Sequence, residues 1–324
     1  MQKEMEVDME MKNMLDNKPL VTIAVICYNQ EKFIEEAVQS ALGQTYTPLE
    51  VVITDDCSTD NTFPLIEKIV SNYNGPHKVI INRNQTNLGL AGNVNKSWEL
   101  SSGEFLVSQG GDDISLPHRT SRLVDGWLSR DPRPDLVYSG IVLIDEEGNE
   151  LSKNVQVAEI TPPIDDTVTG RNVFIAGGCA ASYPRSLHYF TGPLNSEVMA
   201  EDFVYSFRAL LGNGVVGIPE PLVLYRQHSA SVIGQLKSSL DSKSLVDSKY
   251  IKAKITELRE YKRAMDAYKV KRPYLRWRLA RRIKSFESEL AFASKGIVGK
   301  LQSVLWALCS MRIKLFRKML LNLY

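Results

Sequence analysis

The feature that most constrains the fold is a short apolar, β-branched run that stops abruptly at a polar cluster, is followed by a helix, and then recurs. The first copy is Leu20-Val-Thr-Ile-Ala-Val-Ile26, bounded by Pro19 and by Cys27-Tyr-Asn-Gln30, which reads as a strand buried on both faces. Asn29 is placed to cap the helix that follows, in which Phe33, Ile34, Ala37, Val38, Ala41 and Leu42 recur at helical spacing up to Gly43. The second copy is Leu49-Glu-Val-Val-Ile-Thr54. It ends in the polar turn Asp55-Asp-Cys-Ser-Thr-Asp60 and leads into a helix carrying Phe63, Leu65, Ile66, Ile69 and Val70. Two such units in series imply a parallel sheet with right-handed crossovers.

The alternation continues with strands over 77–82 and 104–108 and helices over 91–100 and after Pro117. Beyond Asp135 the character becomes more α+β. Residues 136–144 read as a strand closing on the turn Glu147-Gly-Asn149, 151–170 has no clear period, 201–211 reads as a helix, and 215–225 is a strand-like run interrupted by prolines. The expected organisation is a flexible arm over 1–18, one α/β domain over 19–232, and a helical, basic region over 233–324 with Pro273 as a break.

Composition, 44% hydrophobic and 24% charged, is that of an ordinary globular protein. The four cysteines, Cys27, Cys57, Cys179 and Cys309, are scattered without a CxxC pair, so neither a zinc site nor a disulfide framework is expected and a reducing compartment is the default. The acidic and basic opening residues do not resemble a secretory signal, and no run of about 18 uncharged apolar residues suggests a spanning helix. The net charge of +1 conceals an asymmetry: residues 271–324 carry 13 Lys or Arg and two acids, a balance of +11, which leaves −10 for residues 1–270. Residues 296–324 mix Ile, Val, Leu, Trp306, Phe316 and Met with Lys300, Arg312, Lys314, Arg317 and Lys318. This pattern favours a basic amphipathic helix at a lipid interface over a nucleic-acid patch.

In an open α/β sheet, ligands bind beyond the carboxyl ends of the strands. Cys27-Tyr-Asn29, Asp55-Asp56 and Gly110-Gly-Asp-Asp113 all lie at such ends. No glycine-rich dinucleotide or P-loop motif follows the first strand, so phosphate must be held otherwise. A carboxylate pair after a buried strand suits a hard divalent cation bridging two phosphates. The same acids could instead serve as helix caps or helix-dipole partners: Asp55 and Ser58 for one helix, Asp112 and Asp113 for another, Glu201 and Asp202 for a third. His77, His118 and His188 stand in no motif, and Cys179 reads as a small buried residue rather than a nucleophile.

Taken together, the motifs resemble those of family 2 glycosyltransferases with the GT-A fold. They are Val21–Asn29, Ser40–Thr45, Val51–Asp60, Asn87-Leu-Gly89 with Asn95, Gly103-Glu-Phe105, Gly110–Asp113 with Leu116-Pro117, Glu201-Asp202, and Tyr225-Arg-Gln-His228, in the family's usual order over residues 19–231. The resemblance implies that Tyr28 and Asp56 contact the nucleotide, that Asn87 and Asn95 line its pocket, and that Asp112 ends a DxD-like metal motif with Asp113 beside it. Asp202 matches the general base of inverting members, and Arg226 and His228 match a late loop near the diphosphate. The implied cofactor is Mg²⁺ or Mn²⁺. One departure stands out: Gly110 occupies the place of the first Asp of DxD.

The implied function is inverting transfer of a sugar from a nucleotide-diphosphate-sugar to a glycan or lipid-linked hydroxyl in bacterial surface-polysaccharide or lipopolysaccharide synthesis. The protein would then lie at the cytoplasmic face of the inner membrane, held there by 271–324. Two alternatives accompany this expectation. One is a catalytically inactive nucleotide-sugar-binding or membrane-associated scaffold, and the other is a nucleotidyltransferase.

Overall fold

A computed structural model of the chain describes residues 18–155, 163–171, 176–228 and 248–293. The expected basic helix over 296–324 and most of the expected arm over 1–18 lie outside the described residues. In chain order the elements are β1 (Val21–Cys27), α1 (Ile34–Leu42), β2 (Leu49–Asp55), α2 (Thr62–Ser71), β3 (Lys78–Arg83), α3 (Gly89–Leu100), β4 (Phe105–Gly110), β5 (Ile114–Ser115) and α4 (Arg119–Leu128). There follow β6 (Leu136–Ile144), β7 (Glu150–Val155), α5 (Ile164–Thr169), a 3₁₀ turn (Gly178–Ala180), β8 (Ala181–Pro184), α6 (Arg185–Thr191), α7 (Glu201–Leu211), β9 (Val215–Arg226), α8 (Ser248–Ala267) and α9 (Pro273–Ala293).

The strands form one sheet of order β3-β2-β1-β4-β8-β6-β9-β5, with β7 paired to β6. The first four strands are mutually parallel, as the βα alternation requires, and β8 enters antiparallel to both β4 and β6. The strand period of two then divides the core. Val21, Ile23 and Val25 of β1, with Phe105 and Val107 of β4, face α1, α2 and α4, whereas Ala24 and Leu106 face α3 and α7. On the first face Trp127 stacks on Phe105 with ring centroids 4.7 Å apart. On the second, Trp98 is fully buried against His188 at 4.9 Å. Burial lowers the pKa of His188 to about 3, aided by Arg208, Arg185 and Arg263, so this histidine is a neutral core residue hydrogen-bonded to the Tyr205 hydroxyl at 2.6 Å.

Helices α8 and α9 share this second core: Leu258, Tyr261, Met265, Leu275 and Leu279 are all buried within it. Phe207 of α7 stacks on Tyr261 of α8 at 4.0 Å, and the fully buried Arg208 pairs with Glu260 at 3.1 Å. Pro273 opens α9 at its first position, where the missing N–H costs nothing, so the expected break is the start of a helix packed against α8.

The sheet's base is closed by a buried acid. Glu50, at 0% exposure, accepts hydrogen bonds from Thr22 Oγ1 at 2.6 Å and from the N–H groups of Ser102 and Gly103. These bonds tie β2 to β1 and to the turn before β4.

One expectation is corrected. Asn29 does not cap a helix; α1 begins at Ile34, with Phe33 at its N-cap position. Asn29 instead adopts a left-handed conformation (φ 52°), and its side-chain oxygen accepts from the Thr59 N–H at 2.8 Å. Its own N–H donates to Ser58 Oγ at 2.8 Å, so Asn29 fastens the loop after β1 to the loop after β2.

Candidate functional site

Register sets the geometry. Parallel pairing puts Cys27 opposite Asp55 and Ile26 opposite Gly110, and the Gly111 N–H donates to the Ile26 carbonyl at 2.9 Å. The residues one step further, Tyr28, Asp56 and Asp112, therefore leave three adjacent strands at the same edge of the sheet. Gly111 permits this approach: a β-carbon there would lie 2.5 Å from the Cys27 β-carbon and 2.3 Å from Gln30 Oε1.

Around the end of β2 the side chains form a polar cradle. Asp56, 3% exposed, accepts from Asn84 Nδ2 at 2.9 Å and from the Leu88 N–H at 2.8 Å. Asn87 donates to the Asp56 carbonyl at 3.2 Å and accepts from the Gly89 N–H at the start of α3. Asn93 donates to the Thr54 carbonyl and accepts from Asn84. Tyr28, at 46% exposure, stands open beside this group. Asn95 is not part of the cradle. Its amide is engaged in both directions with the backbone of Leu194, donating at 2.8 Å and accepting at 2.9 Å, which secures the segment leading to α7.

At the end of β4 the two acids diverge. Asp112 is half-buried and contacts His228 Nε2 at 2.9 Å. Asp113 turns inward to 1% exposure and accepts from the Arg226 N–H at 3.0 Å. Burial pushes the Asp113 carboxyl well above its ordinary range, and the neighbouring Asp112 charge pushes it further. Arg226 is 2% exposed and spends its guanidinium on the protein. It donates to the carbonyls of Asp112, Asp145 and Glu146 and to the Glu36 carboxylate, and it lies 4.9 Å from the Phe33 ring centre. Its structural effect is to hold the end of β9 against the β4–β5 turn, which delivers His228 to Asp112.

The third part lies at the start of α7. Asp202 accepts from the Phe203 N–H at 2.9 Å and from the Gly178 N–H at 3.3 Å. The helix N-terminus and these bonds favour the carboxylate. Burial outweighs them and raises the pKa of Asp202, and it raises that of the adjoining Glu201 as well. The negative charges of Asp112, Asp113 and Asp202 all act on Tyr225 and Cys179, whose own pKa values are raised first by burial and then by these acids. The β4 acids and the α7 acid thus lie near the same two residues, Cys179 and Tyr225, and the Gly178-Cys179 turn is bonded both to Asp202 and, through Arg119, to the end of β4.

A divalent cation fits the Asp112 position in donor chemistry, since one carboxylate and one imidazole suffice when phosphate oxygens complete the shell. Among the described residues no cluster of three or more His, Cys, Asp or Glu forms a self-sufficient metal site. Sequence reasoning missed Asn84, Asn93, Arg119 and the Gly178 N–H. The first two belong to no run or spacing, and a backbone N–H leaves no mark in a sequence.

Residues 22–190, just over half of the chain, match the family model described as Glycosyl transferase family 2. EpsE of Bacillus subtilis (strain 168), whose name places it among glycosyltransferases, is 30% identical over 152 residues, covering 47% of this chain and 51% of that one. An uncharacterized protein of Mycobacterium tuberculosis (strain ATCC 25618 / H37Rv) is 30% identical over 214 residues, covering 65% of this chain and 60% of that one. The chain therefore spans about half to three fifths of the length of these curated relatives.

Among solved structures, S. aureus TarS 1–349 in complex with UDP superposes with a TM-score of 0.52 at 19% identity, covering 84% of this chain and 90% of that one. The mannosyltransferase PcManGT from Pyrobaculum calidifontis, in complex with GDP-Man and Mn²⁺, gives 0.52 at 16% identity, covering 94% and 85%. At these identities the likeness is one of fold.

Proposed function

The chain belongs to glycosyl transferase family 2, and from that membership we propose that it is an inverting glycosyltransferase moving a sugar from a nucleotide-diphosphate-sugar to a hydroxyl of a glycan or lipid-linked acceptor in surface-polysaccharide synthesis. Its mixed α/β sheet is the GT-A fold expected from the sequence. The observation that carries the reading is the linkage of two acids through one turn: Gly178 of the Gly178-Cys179 turn donates to Asp202 at the start of α7, and Arg119 joins Cys179 of the same turn to the end of β4, beyond which Asp112 stands.

In this reading Tyr28 and the Asp56–Asn84–Asn87 cradle receive the base and ribose, while Asp113, Arg226 and Asn95 shape the pocket from behind. Asp112, with His228 beside it, would hold Mg²⁺ or Mn²⁺, which neutralises charge on the leaving diphosphate. Asp202 takes the proton of the acceptor hydroxyl as that oxygen attacks the anomeric carbon. The bond from that carbon to the diphosphate oxygen breaks, the nucleoside diphosphate departs, and the configuration inverts. Burial that lifts the pKa of Asp202 toward the working pH strengthens it as a base. Residues 19–232 carry the transferase machinery, and the basic C-terminal region 233–324, whose helices α8 and α9 pack into the same core, bears on a membrane carrying the acceptor.

The test is turnover of a panel of nucleotide-sugars with Mn²⁺ or Mg²⁺ and lipid-linked acceptors, comparing wild type with Asp202→Asn, Asp112→Ala and His228→Ala. Metal-dependent release of nucleoside diphosphate, lost in the first two variants and reduced in the third, is expected, and NMR of the product should show the inverted anomeric configuration. Tight donor binding without turnover would point to a binding protein, and pyrophosphate release from a nucleoside triphosphate to a nucleotidyltransferase.

A further inference from the structure

Between Asp266 and Glu287 the chain carries eight Lys or Arg and no acid. Three of the eight are used internally: Arg276 pairs with Asp266, Arg272 pairs with Asp165 at 2.9 Å, and Arg282 donates to the carbonyls of Thr167 and Val168 at the end of α5. These contacts, with buried Leu275 and Leu279, fix which side of α9 faces the protein. The opposite side carries Tyr274, Trp277, Arg278 and Arg281 at the i, i+3, i+4, i+7 spacing of one helical stripe.

That stripe is open. Tyr274 is 63% and Trp277 49% exposed, and the two rings lie 6.0 Å apart. Arg278 sits over the Tyr274 ring at 5.8 Å and Arg281 over the Trp277 ring at 4.7 Å, so these cations lie on aromatic faces rather than on carboxylates. On the side of α9 that faces α8 a separate groove of about 320 Å³ is lined by Met265, Leu279 and Ile283 together with Lys262, Lys284 and Glu287. Exposed amphipathic rings and long cationic side chains on one helical stripe match the layering of a bilayer surface, with anionic headgroups outside and the start of the hydrocarbon beneath.

We propose that the outer face of α9, formed by Tyr274, Trp277, Arg278 and Arg281, binds an anionic lipid bilayer. This deepens the reading of a membrane-borne acceptor and rests on it for biological sense, but lipid binding is measured without any sugar transfer. The two readings can therefore fail separately.

The experiment is co-sedimentation of the full-length protein with vesicles of phosphatidylcholine containing or lacking phosphatidylglycerol. Binding to the anionic vesicles is expected to exceed binding to pure phosphatidylcholine and to weaken with salt. Arg278→Glu with Arg281→Glu, and separately Tyr274→Ser with Trp277→Ser, should each weaken it by about tenfold or more, with transfer to a soluble acceptor unchanged. In a Trp306→Phe background, brominated lipid should quench Trp277 fluorescence, because Trp98 and Trp127 are buried in the core. Vesicle binding that survives both double substitutions, absent quenching, or no preference for the anionic lipid would overturn the proposal. Circular dichroism of each variant separates lost binding from lost folding.

Discussion

Arg119 and Asp202 are joined through two consecutive residues of one turn: the Arg119 guanidinium donates to the Cys179 carbonyl at 2.6 Å, and the Gly178 N–H donates to the Asp202 carboxylate at 3.3 Å. Arg119 is fully buried and also donates to the Ser108 carbonyl at 2.7 Å and to Ser115 Oγ at 2.8 Å. One planar cation therefore fixes the β4–β5 turn that carries Asp112 relative to the turn that holds Asp202.

Arg119→Lys tests that link. A lysine is a point charge and cannot reach three acceptors at once. The expected result is a kcat lowered roughly 10- to 100-fold, as for misplacement of a base by about an ångström, with the donor KM little changed. Loosening the Gly178 contact also removes a hydrogen bond to the charged form of Asp202, so the acid limb of the pH–rate profile should move to higher pH. An Arg119→Lys enzyme with the wild-type profile and kcat would show that the turn is held by other contacts.

The pH dependence follows from Asp202 and Glu201. A general base works deprotonated, so kcat/KM should fall as pH falls through the raised pKa of Asp202, with an inflection above the ordinary aspartate value of about 3.9. Asp202→Asn should cost roughly 10²- to 10⁴-fold in kcat.

Stability carries the opposite sign from that of an ion-paired acid. Because burial raises the pKa of both groups, the folded state binds more protons than the unfolded state above about pH 4, and stability declines as pH rises through that window. Glu201→Gln should therefore raise Tm at neutral and alkaline pH, with the gain vanishing below about pH 4. An equal Tm for the two proteins at every pH would refute the buried-charge account.

Local pattern made the first half of this fold readable. The run Leu20–Ile26, the helix over Phe33–Leu42 and the strand over Leu49–Thr54 each bury a continuous or periodic apolar set, and β1, α1 and β2 follow within a residue or two. The helix over Glu201–Leu211 was equally plain. Illegible were β8, the four residues Ala181–Pro184, and the edge strand β7, Glu150–Val155. β8 is specified by pairing with the distant strands β4 and β6, and β7 by an irregular hairpin with the preceding β6, rather than by their own composition. The same holds in the site. Tyr28, Asp56 and Asp112 follow from strand ends, but the inward turn of Asp113 and the clasp of Asn95 on Leu194 depend on partners 113 and 99 residues away in sequence.

Glu50 gives a stability test remote from the chemistry. Burial alone would raise its pKa, but hydrogen bonds from Thr22, Ser102, Gly103 and Lys78 together bring it below the ordinary value. A depressed pKa contributes stability that is present above the unfolded value and lost as pH falls through the folded one. Glu50→Gln should destabilise the protein by about 1–3 kcal/mol at pH 7, since an amide cannot accept all of these bonds. Urea unfolding should show the difference shrinking as the pH is lowered through the carboxylate range, and a pH-independent difference would assign the effect to packing.

Gly110 decides whether the missing acid of the DxD-like motif is a defect or an adaptation. A β-carbon at this position would lie 2.6 Å from Asp112 Oδ1 and 2.8 Å from Asp113 Oδ2, so the room that an aspartate needs is taken by the two acids that follow. A third carboxylate would also stand beside Asp113, whose proton is already held tightly by burial and by the Asp112 charge. Gly110→Asp should thus weaken metal-dependent turnover, raising the Mn²⁺ concentration for half-maximal rate by about tenfold or more. Gly110→Ala isolates the steric part and should produce a smaller shift in the same direction. Titration of donor hydrolysis against Mn²⁺ reads both. Tighter Mn²⁺ dependence in Gly110→Asp would mean that Asp112 and Asp113 swing aside at little cost, and the glycine would then be a lost ligand that a single substitution restores.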